Sequence, residues 1–231
     1  MPTKSSLLVP YFLLLVFATI ELALVSRMVA FLHIQKTQVK TYQALGSDSL
    51  GFKIHVLPEK LSLNQGHTTN GAAGYGLVLS IALLAITFSF RNDTKHKRKL
   101  LAMTILLGLL VLFIMSAFIY VFAVTYLTSD NRINTRYAQS MNGAPYPIDS
   151  WTPETWYKAL LLLPLANVDL TGAYQEMVAW RWWIFPYLMA SILAFGWTAI
   201  VWIDERVPKR PSHGYVVYGN GDDGLQRKIA T

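Results

Sequence analysis

The chain has 231 residues, of which 53% are hydrophobic and only 14% are charged, and its formal net charge is +7 at pH 7. This composition is far from that of a soluble domain. The chain contains no cysteine, which excludes a disulfide framework, a thiolate metal site and a cysteine nucleophile.

The apolar residues are concentrated in four blocks, at about residues 7–32, 73–90, 100–127 and 183–203, and each block is nearly free of charge. Because about 20 helical residues cross the hydrocarbon core of a bilayer, the blocks predict four transmembrane helices in an all-α membrane protein. Buried helices of a soluble protein are the alternative, but the remaining polar chain is too short to cover four of them. The first block is longer than the apolar part of a signal peptide, so we expect it to be retained.

An acidic residue, Glu21, lies near the middle of the first block. A charge at this depth costs several kcal/mol by insertion scales, so we expect the carboxyl to face protein rather than lipid. Arg27 lies six residues further on, about 120° around the helix, and is expected to extend toward the headgroups instead of pairing with Glu21. Two roles for Glu21 remain open. It is either a neutral carboxyl hydrogen-bonded to a neighbouring helix or an acid that handles protons. The candidate partners are Ser80, Thr87, Ser116 and Trp197.

The first predicted outer loop, residues 33–72, contains a short alternating piece, Phe52, Ile54 and Val56, which indicates a strand or one arm of a hairpin. Its histidines, at positions 33, 55 and 67, do not have the spacing of metal ligands, and we expect no metal site.

The link between the second and third blocks is RNDTKHKRK, residues 91–99, and short loops this basic stay in the cytoplasm. With four spans, both termini then lie on the same cytoplasmic side. The charge count agrees, since the predicted inner segments carry eleven Lys and Arg residues and the two longer outer loops carry eight. The excess positive charge is therefore a topology signal, and no nucleic-acid-binding pattern accompanies it. Asn92 begins a glycosylation sequence but is expected to stay unmodified in the cytoplasm.

Small residues in the spans predict where helices approach each other closely, because lipid offers no hydrophobic drive for association. The third span shows fewer of them, at Gly108, Ser116 and Ala117, and is expected to expose more of its surface to lipid. Pro186 is predicted to lie in the first turns of the fourth span and to cause at most a mild kink. The predicted contact ridges are Ala72, Gly76 and Ser80 on the second span and Ala190 and Ala194 on the fourth.

The second predicted outer loop, residues 128–182, contains a short helix. Thr152 is a typical N-cap, Pro153 suits the first helical position and Glu154 suits the first turn, while Pro164 follows the end. About eleven residues cannot span a bilayer, so we expect an interfacial helix that lies on the outer membrane surface or covers the bundle. The segment before it, MNGAPYPIDS, is typical of a turn.

The same loop carries Asp149, Glu154 and Asp169, together with Tyr146, Tyr157 and Tyr174. Acids beside aromatic rings are able to protonate a hydrophobic substrate and stabilise the developing positive charge. Solvated acids above a belt of aromatic residues are the alternative interpretation. The candidate catalytic residues are therefore Glu21, Asp149, Glu154 and Asp169.

The segment SWTPETWYKALLLLPLA, followed by WRWWIFP, resembles a stretch of uncharacterised four-span membrane proteins of filamentous fungi. The resemblance implies a fungal plasma-membrane or secretory-pathway setting and carries no known activity.

We expect a transmembrane domain over residues 1–204 and a cytoplasmic, disordered tail over residues 205–231. The leading hypothesis is a non-catalytic organiser or accessory subunit that contacts the bilayer and binds protein partners through its outer loops or tail. The alternative is a membrane enzyme of the cyclase or isomerase type, acting on a hydrophobic small molecule, and a pore or transporter component is third. Nucleotide-binding, hydrolase and zinc-protease signatures are absent from the sequence, and no cofactor is expected.

Overall fold

The protein is described by a computed structural model over residues 4–45, 51–89, 96–166 and 168–206. The basic residues 91–95 and the tail beyond residue 206 lie outside these ranges. Six α-helices and a two-stranded antiparallel sheet form within them. The elements are α1 (Leu8–Ile34), β1 (Thr41–Leu45), β2 (Gly51–His55), α2 (Asn64–Ser89), α3 (His96–Leu127), α4 (Thr135–Met141), α5 (Pro153–Leu161) and α6 (Thr171–Arg206).

Within the described ranges, four helices, α1, α2, α3 and α6, are long and apolar enough to cross a membrane. The prediction of an all-helical, multi-pass membrane protein is thus confirmed. Two of the helices begin well before the predicted spans, at Asn64 and at Thr171. A hydropathy window detects the part of a helix that lies in lipid, whereas the backbone hydrogen bonds continue into the polar segment beyond it.

The early start of α6 corrects the prediction for Pro186. This proline lies inside a helix that begins at Thr171, instead of in its first turns. A proline in a helix interior cannot donate to the carbonyl four residues before it, so α6 lacks one backbone hydrogen bond within its apolar part.

The four long helices form a bundle in which α1 packs against α2 and α6, and α3 packs against the same two helices. Their buried residues recur at alternating intervals of three and four, which is the spacing of left-handed helix packing. Each helix therefore meets its neighbours along one narrow seam and leaves the rest of its surface to lipid. In α1 the seam consists of Tyr11, Leu14, Ala18, Glu21, Val25, Met28 and Leu32, and in α6 it includes Met177, Trp180, Ile184, Tyr187, Ser191, Ala194, Thr198 and Val201.

The closest approach between α2 and α6 is at Gly76. The Tyr187 hydroxyl of α6 donates to the Ala72 carbonyl over 2.9 Å, and a Cβ added at Gly76 would lie 1.9 Å from that hydroxyl oxygen. Only glycine leaves room for the ring here. The predicted ridges are confirmed as buried contacts, at Ala72, Gly76 and Ser80 on α2 and at Ala190 and Ala194 on α6.

The two long loops form one packed unit above one end of the bundle, which we call the cap and define as residues 35–45, 51–63, 128–166 and 168–170. The predicted strand is confirmed as β2, whose partner β1 pairs Tyr42 with Ile54 and Ala44 with Phe52. Ala44 also forms an isolated bridge with Leu165, which joins the first loop to the second. The cap is therefore a single structure built from both loops.

Helix α5 lies inside the cap. Thr152 is its N-cap, and a reciprocal pair of hydrogen bonds with Thr155 forms the capping box. The predicted start is confirmed, and the helix ends before Pro164. Trp156 and Tyr157 are fully buried. Of the two predicted settings for this helix, a position that covers the bundle is the one that fits this burial.

We expect Gly76→Ala to destabilise the bundle by about 1–3 kcal/mol, because the new methyl group overlaps the Tyr187 hydroxyl. The measurement is the thermal unfolding temperature of the purified protein in detergent. Gly74→Ala is the matched control, since an added Cβ there meets no atom within 4 Å. Tyr187→Phe in the Gly76→Ala background should recover part of the loss, and no recovery would contradict the assigned contact.

Candidate functional site

The first candidate acid, Glu21, is the middle residue of α1 and is only 1% exposed. It faces protein, as predicted, at the junction between two apolar clusters. Ala18 on one side belongs to the core of the bundle, and Val25 on the other belongs to the core that continues into the cap. Both carboxyl oxygens lack a hydrogen-bond partner among the described residues.

The surroundings of Glu21 come from α6. The indole of Trp180 and the phenol of Tyr187 both lie within electrostatic range of the carboxyl, but neither forms a hydrogen bond of ordinary geometry with it. The Tyr187 hydroxyl is instead bonded to the Ala72 carbonyl.

The predicted partners of Glu21 are wrong. The hydroxyls of Ser80, Thr87 and Ser116 each donate to a carbonyl of their own helix, and the Trp197 indole donates to Ser6. In a helix, a serine or threonine hydroxyl readily satisfies itself on the preceding turn, so a polar residue at a suitable depth need not face a neighbouring helix.

Arg27 is close to another acid. Its guanidinium contacts the Glu176 carboxylate of α6 at 2.5 Å, and both side chains are partly solvent-exposed. The predicted orientation away from Glu21 fits this position, and the ion pair with α6 was not predicted. An exposed pair of this kind contributes little to stability, about 0–1 kcal/mol.

Glu154 is buried at the start of α5 and lies 3.0 Å from the Arg181 guanidinium of α6. The two groups lack the alignment of a hydrogen bond. Burial raises the pKa of Glu154, and the positive charges of Arg181 and Lys158 oppose that rise. Arg181 also lies over the rings of Phe122 and Trp182. The pair connects the cap to the bundle, so its position is that of a structural contact.

The other two acids occupy turns. Asp169 accepts a hydrogen bond from the Thr171 backbone N–H over 2.8 Å at the start of α6, and hydrogen bonds with Thr171 lower the pKa of its carboxyl. Asp149 is exposed and has a φ of 62°, in the left-handed region that favours turns. The structure does not bring these two acids together with Glu21 or Glu154 around a common space. None of the four acids lines any of five cavities found along the described ranges.

The predicted aromatic residues are part of the cap core. Tyr146 and Tyr157 are almost completely buried, and Tyr146 packs against the rings of Trp151 and Trp156. The Trp156 indole donates to the Val56 carbonyl over 2.8 Å, which ties α5 to the first loop. Rings packed in this way fill space and hold the cap together.

The structure reveals one cluster that the sequence interpretation missed. His33, His55 and His67 line a single cavity of about 580 Å³ where the cap meets α1 and α2, which we call the cap cavity. Each comes from a different element: the last turn of α1, the end of β2 and the first turn of α2. Their separation along the chain carried no such signal, because the hairpin between them brings them together.

Two further charged residues, Lys36 and Glu59, line the same cavity. No group of three His, Asp or Glu residues within the described ranges has the geometry of a metal site. The three histidines line the space separately. The apolar part of the lining consists of Met28, Val29, Leu32, Leu57, Leu61 and Leu63, with three prolines.

Models of protein families, curated proteins and solved structures were compared with the chain, and none of them matches it. Its function is inferred from the chemistry of its own residues.

We expect Arg181→Leu to destabilise the protein by about 3 kcal/mol near neutral pH, because Glu154 is then buried without its cation. Burial raises the pKa of Glu154 in the folded state, and losing Arg181 raises it further. The Glu154 carboxyl therefore stabilises the folded state at pH values below its unfolded-state pKa. This stabilisation is lost as pH rises through its folded-state pKa.

The measurement is the unfolding temperature in detergent between pH 5 and pH 8. The unfolding temperature of the Arg181→Leu protein should fall further below that of the unsubstituted protein as pH increases. The double substitution Glu154→Gln with Arg181→Leu should remove this pH dependence. Arg132→Leu, at an exposed arginine of the cap, is the control. An unchanged pH profile in Arg181→Leu would contradict the role of the pair.

Proposed function

We propose that the chain is a non-catalytic membrane protein, an organiser or accessory subunit whose four spans hold a rigid cap as a surface for protein partners. The observation that supports this best is the position of the four candidate acids. Glu154 pairs with Arg181, Asp169 bonds to Thr171, Asp149 occupies a turn and Glu21 is enclosed between helices. General acid catalysis needs an acid within hydrogen-bonding reach of a bound substrate, directly or through one water.

The packing of the cap is the second support. Its interior contains fully buried Trp151, Trp156 and Tyr157, and the two loops are joined by the bridges Ala44–Leu165 and Leu61–Trp151. Interaction surfaces gain affinity when they are held rigid before binding, because less conformational entropy is lost in the complex. A cap built this way suits the presentation of a fixed surface.

We propose an orientation in which both termini and the basic segment 91–99 are cytoplasmic and the cap lies on the opposite face. The support is the bias of Lys and Arg toward the predicted inner segments. The resemblance of residues 150–166 and 180–186 to fungal four-span proteins favours the plasma membrane or the secretory pathway of a filamentous fungus as the setting.

The proposal predicts that cellular function depends on the stability of the cap and not on the acids. Glu21→Gln, Asp149→Asn and Asp169→Asn should each support the native phenotype of a cell that depends on this chain, at normal protein abundance. Asp130→Asn, at an exposed acid, is the control. Trp156→Ala should lower the unfolding temperature and abolish function, because it removes a fully buried ring and its hydrogen bond to the Val56 carbonyl.

The enzyme alternative gives the opposite pattern. An essential general acid contributes about 100-fold or more to the rate, so one of the acid substitutions would then remove function while the unfolding temperature and abundance stay normal. That result would overturn the non-catalytic proposal and identify the residue responsible.

The orientation has a separate test, using glycosylation. Asn92 should carry no sugar, since its acceptor sequence lies on the cytoplasmic side. Ala144→Thr creates an acceptor at Asn142, at an exposed turn of the cap, and this site should be modified. The readout is a mobility shift that is reversed by an endoglycosidase. Sugar on Asn92, with none on Asn142, would show that the topology is the reverse of the one proposed.

A further inference from the structure

The cap cavity lies where the protein passes from the bundle to the cap. Its wall is formed by the last turns of α1, the segment after β2 and the first turn of α2, and it is completed by Pro145 and Pro153 of the second loop. A volume of about 580 Å³ falls within the range of small-molecule sites, roughly 300–1,000 Å³.

The lining divides into two chemical parts. Leucines and Val29 form an apolar surface, while His33, Lys36 and His67 are exposed at the opening and His55 is half-buried. Glu59 is the only acid among the lining residues. Lys36 supplies a positive charge and the three imidazoles supply N–H donors, so this rim suits a group with anionic oxygens such as a phosphate. The attraction to the lysine is stronger beside a surface of low dielectric constant.

The cavity continues toward the membrane. A second depression of about 380 Å³ is lined by Val25, Ser26, Val29, Ala30, His33 and Asn70. Val29 and His33 line both spaces, so the two spaces are adjacent along the side of α1. We call the second space the lateral groove. It lies beside a helix that is long and apolar enough to span the bilayer.

A ligand that matches this path has an anionic head and an apolar tail. An inorganic anion would use the rim alone and leave the apolar wall unfilled, whereas a lipid without a net negative headgroup would use the wall and leave Lys36 without an anionic partner. Lys36 lies just beyond the end of α1, three residues after His33, and both line the cap cavity, so both are able to reach one phosphate group.

We propose that the cap cavity and the lateral groove together bind a phospholipid whose headgroup carries a net negative charge on its phosphate, taken laterally from the bilayer. The phosphate lies beside His33, Lys36 and His67, and an acyl chain follows α1 past Val29 toward Val25. The site is independent of the proposed organiser role, and either conclusion holds if the other fails.

The experiment uses the full-length chain purified in a neutral detergent at pH 7. The probes are dioctanoyl phosphatidic acid, dioctanoyl phosphatidylcholine and inorganic phosphate, and binding is measured by titration calorimetry. We expect phosphatidic acid to bind at least about tenfold more tightly than phosphatidylcholine. Inorganic phosphate alone should give no saturable binding in the same concentration range, because it lacks the apolar tail.

Two substitutions test the two halves of the site. Lys36→Glu reverses the charge at the rim, and Val29→Trp fills the path shared by the cavity and the groove. Each should weaken phosphatidic acid binding at least about tenfold without changing the unfolding temperature of the ligand-free protein. Lys53→Glu, at an exposed lysine of β2, and Val78→Trp, at an exposed valine of α2, are matched controls outside both linings, and should bind like the unsubstituted protein.

Three outcomes would overturn the proposal. Equal affinity for phosphatidic acid and phosphatidylcholine would show that the rim charge selects nothing. Saturable binding of inorganic phosphate with a similar affinity would identify a simple anion site. Unchanged binding in both Lys36→Glu and Val29→Trp would place the lipid elsewhere on the protein. If a site substitution lowers the unfolding temperature, His33→Gln and Leu63→Gln, at exposed lining residues, replace it under the same criteria.

Discussion

The narrow seam along each long helix is the constraint on which the rest of the structure depends. In a bilayer, helices gain nothing by moving apolar surface away from lipid, so they associate only where their shapes allow close approach. The interval of three and four residues sets which side chains face inward, and Gly76 sets how near α2 and α6 come at Tyr187. Glu21 lies on this seam between Ala18 and Val25, which explains how a carboxyl is kept from lipid at the middle of a span.

The same seams build the cap. Those of α1 and α6 continue toward it, so Met28 and Leu32 on one helix and Met177 and Trp180 on the other belong to the core shared with the hairpin and α5. The cap is thereby packed on the ends of two helices rather than tethered by loops alone. One of its acids serves this connection, where Glu154 of α5 meets Arg181 of α6.

The sequence was sufficient for features that depend on local chemistry. Hydropathy predicted four spans, Thr152 and Pro153 predicted the start of α5, and alternation at Phe52 and Ile54 predicted β2. The starts of α2 and α6 were missed, because helical hydrogen bonding continues through polar residues that no hydropathy window selects. The partners of Glu21 were predicted wrongly, because depth in the membrane does not determine which face of a helix a hydroxyl occupies. The seven-residue recurrence of Leu14, Glu21 and Met28 was a readable sign that the acid faces the seam.

The lining of the cap cavity could not be predicted from local sequence patterns. His33, His55 and His67 are at least twelve residues apart along the chain. They come together only because the hairpin folds and α2 begins at Asn64. Their shared position is a property of the tertiary structure. The fold brings three histidines from separate elements to the rim of an apolar space, which a search for ligand spacing does not detect.

Helix α6 has a mechanical property that follows from its length. Its 36 residues extend about 54 Å, from the cap at Glu176 and Arg181 to Trp202 and Arg206 at the opposite end. Pro186 interrupts the backbone hydrogen bonding of this helix, and a helix bends most easily where such a bond is missing. One helix therefore joins the cap to the opposite end of the bundle, with its lowest resistance to bending at Pro186.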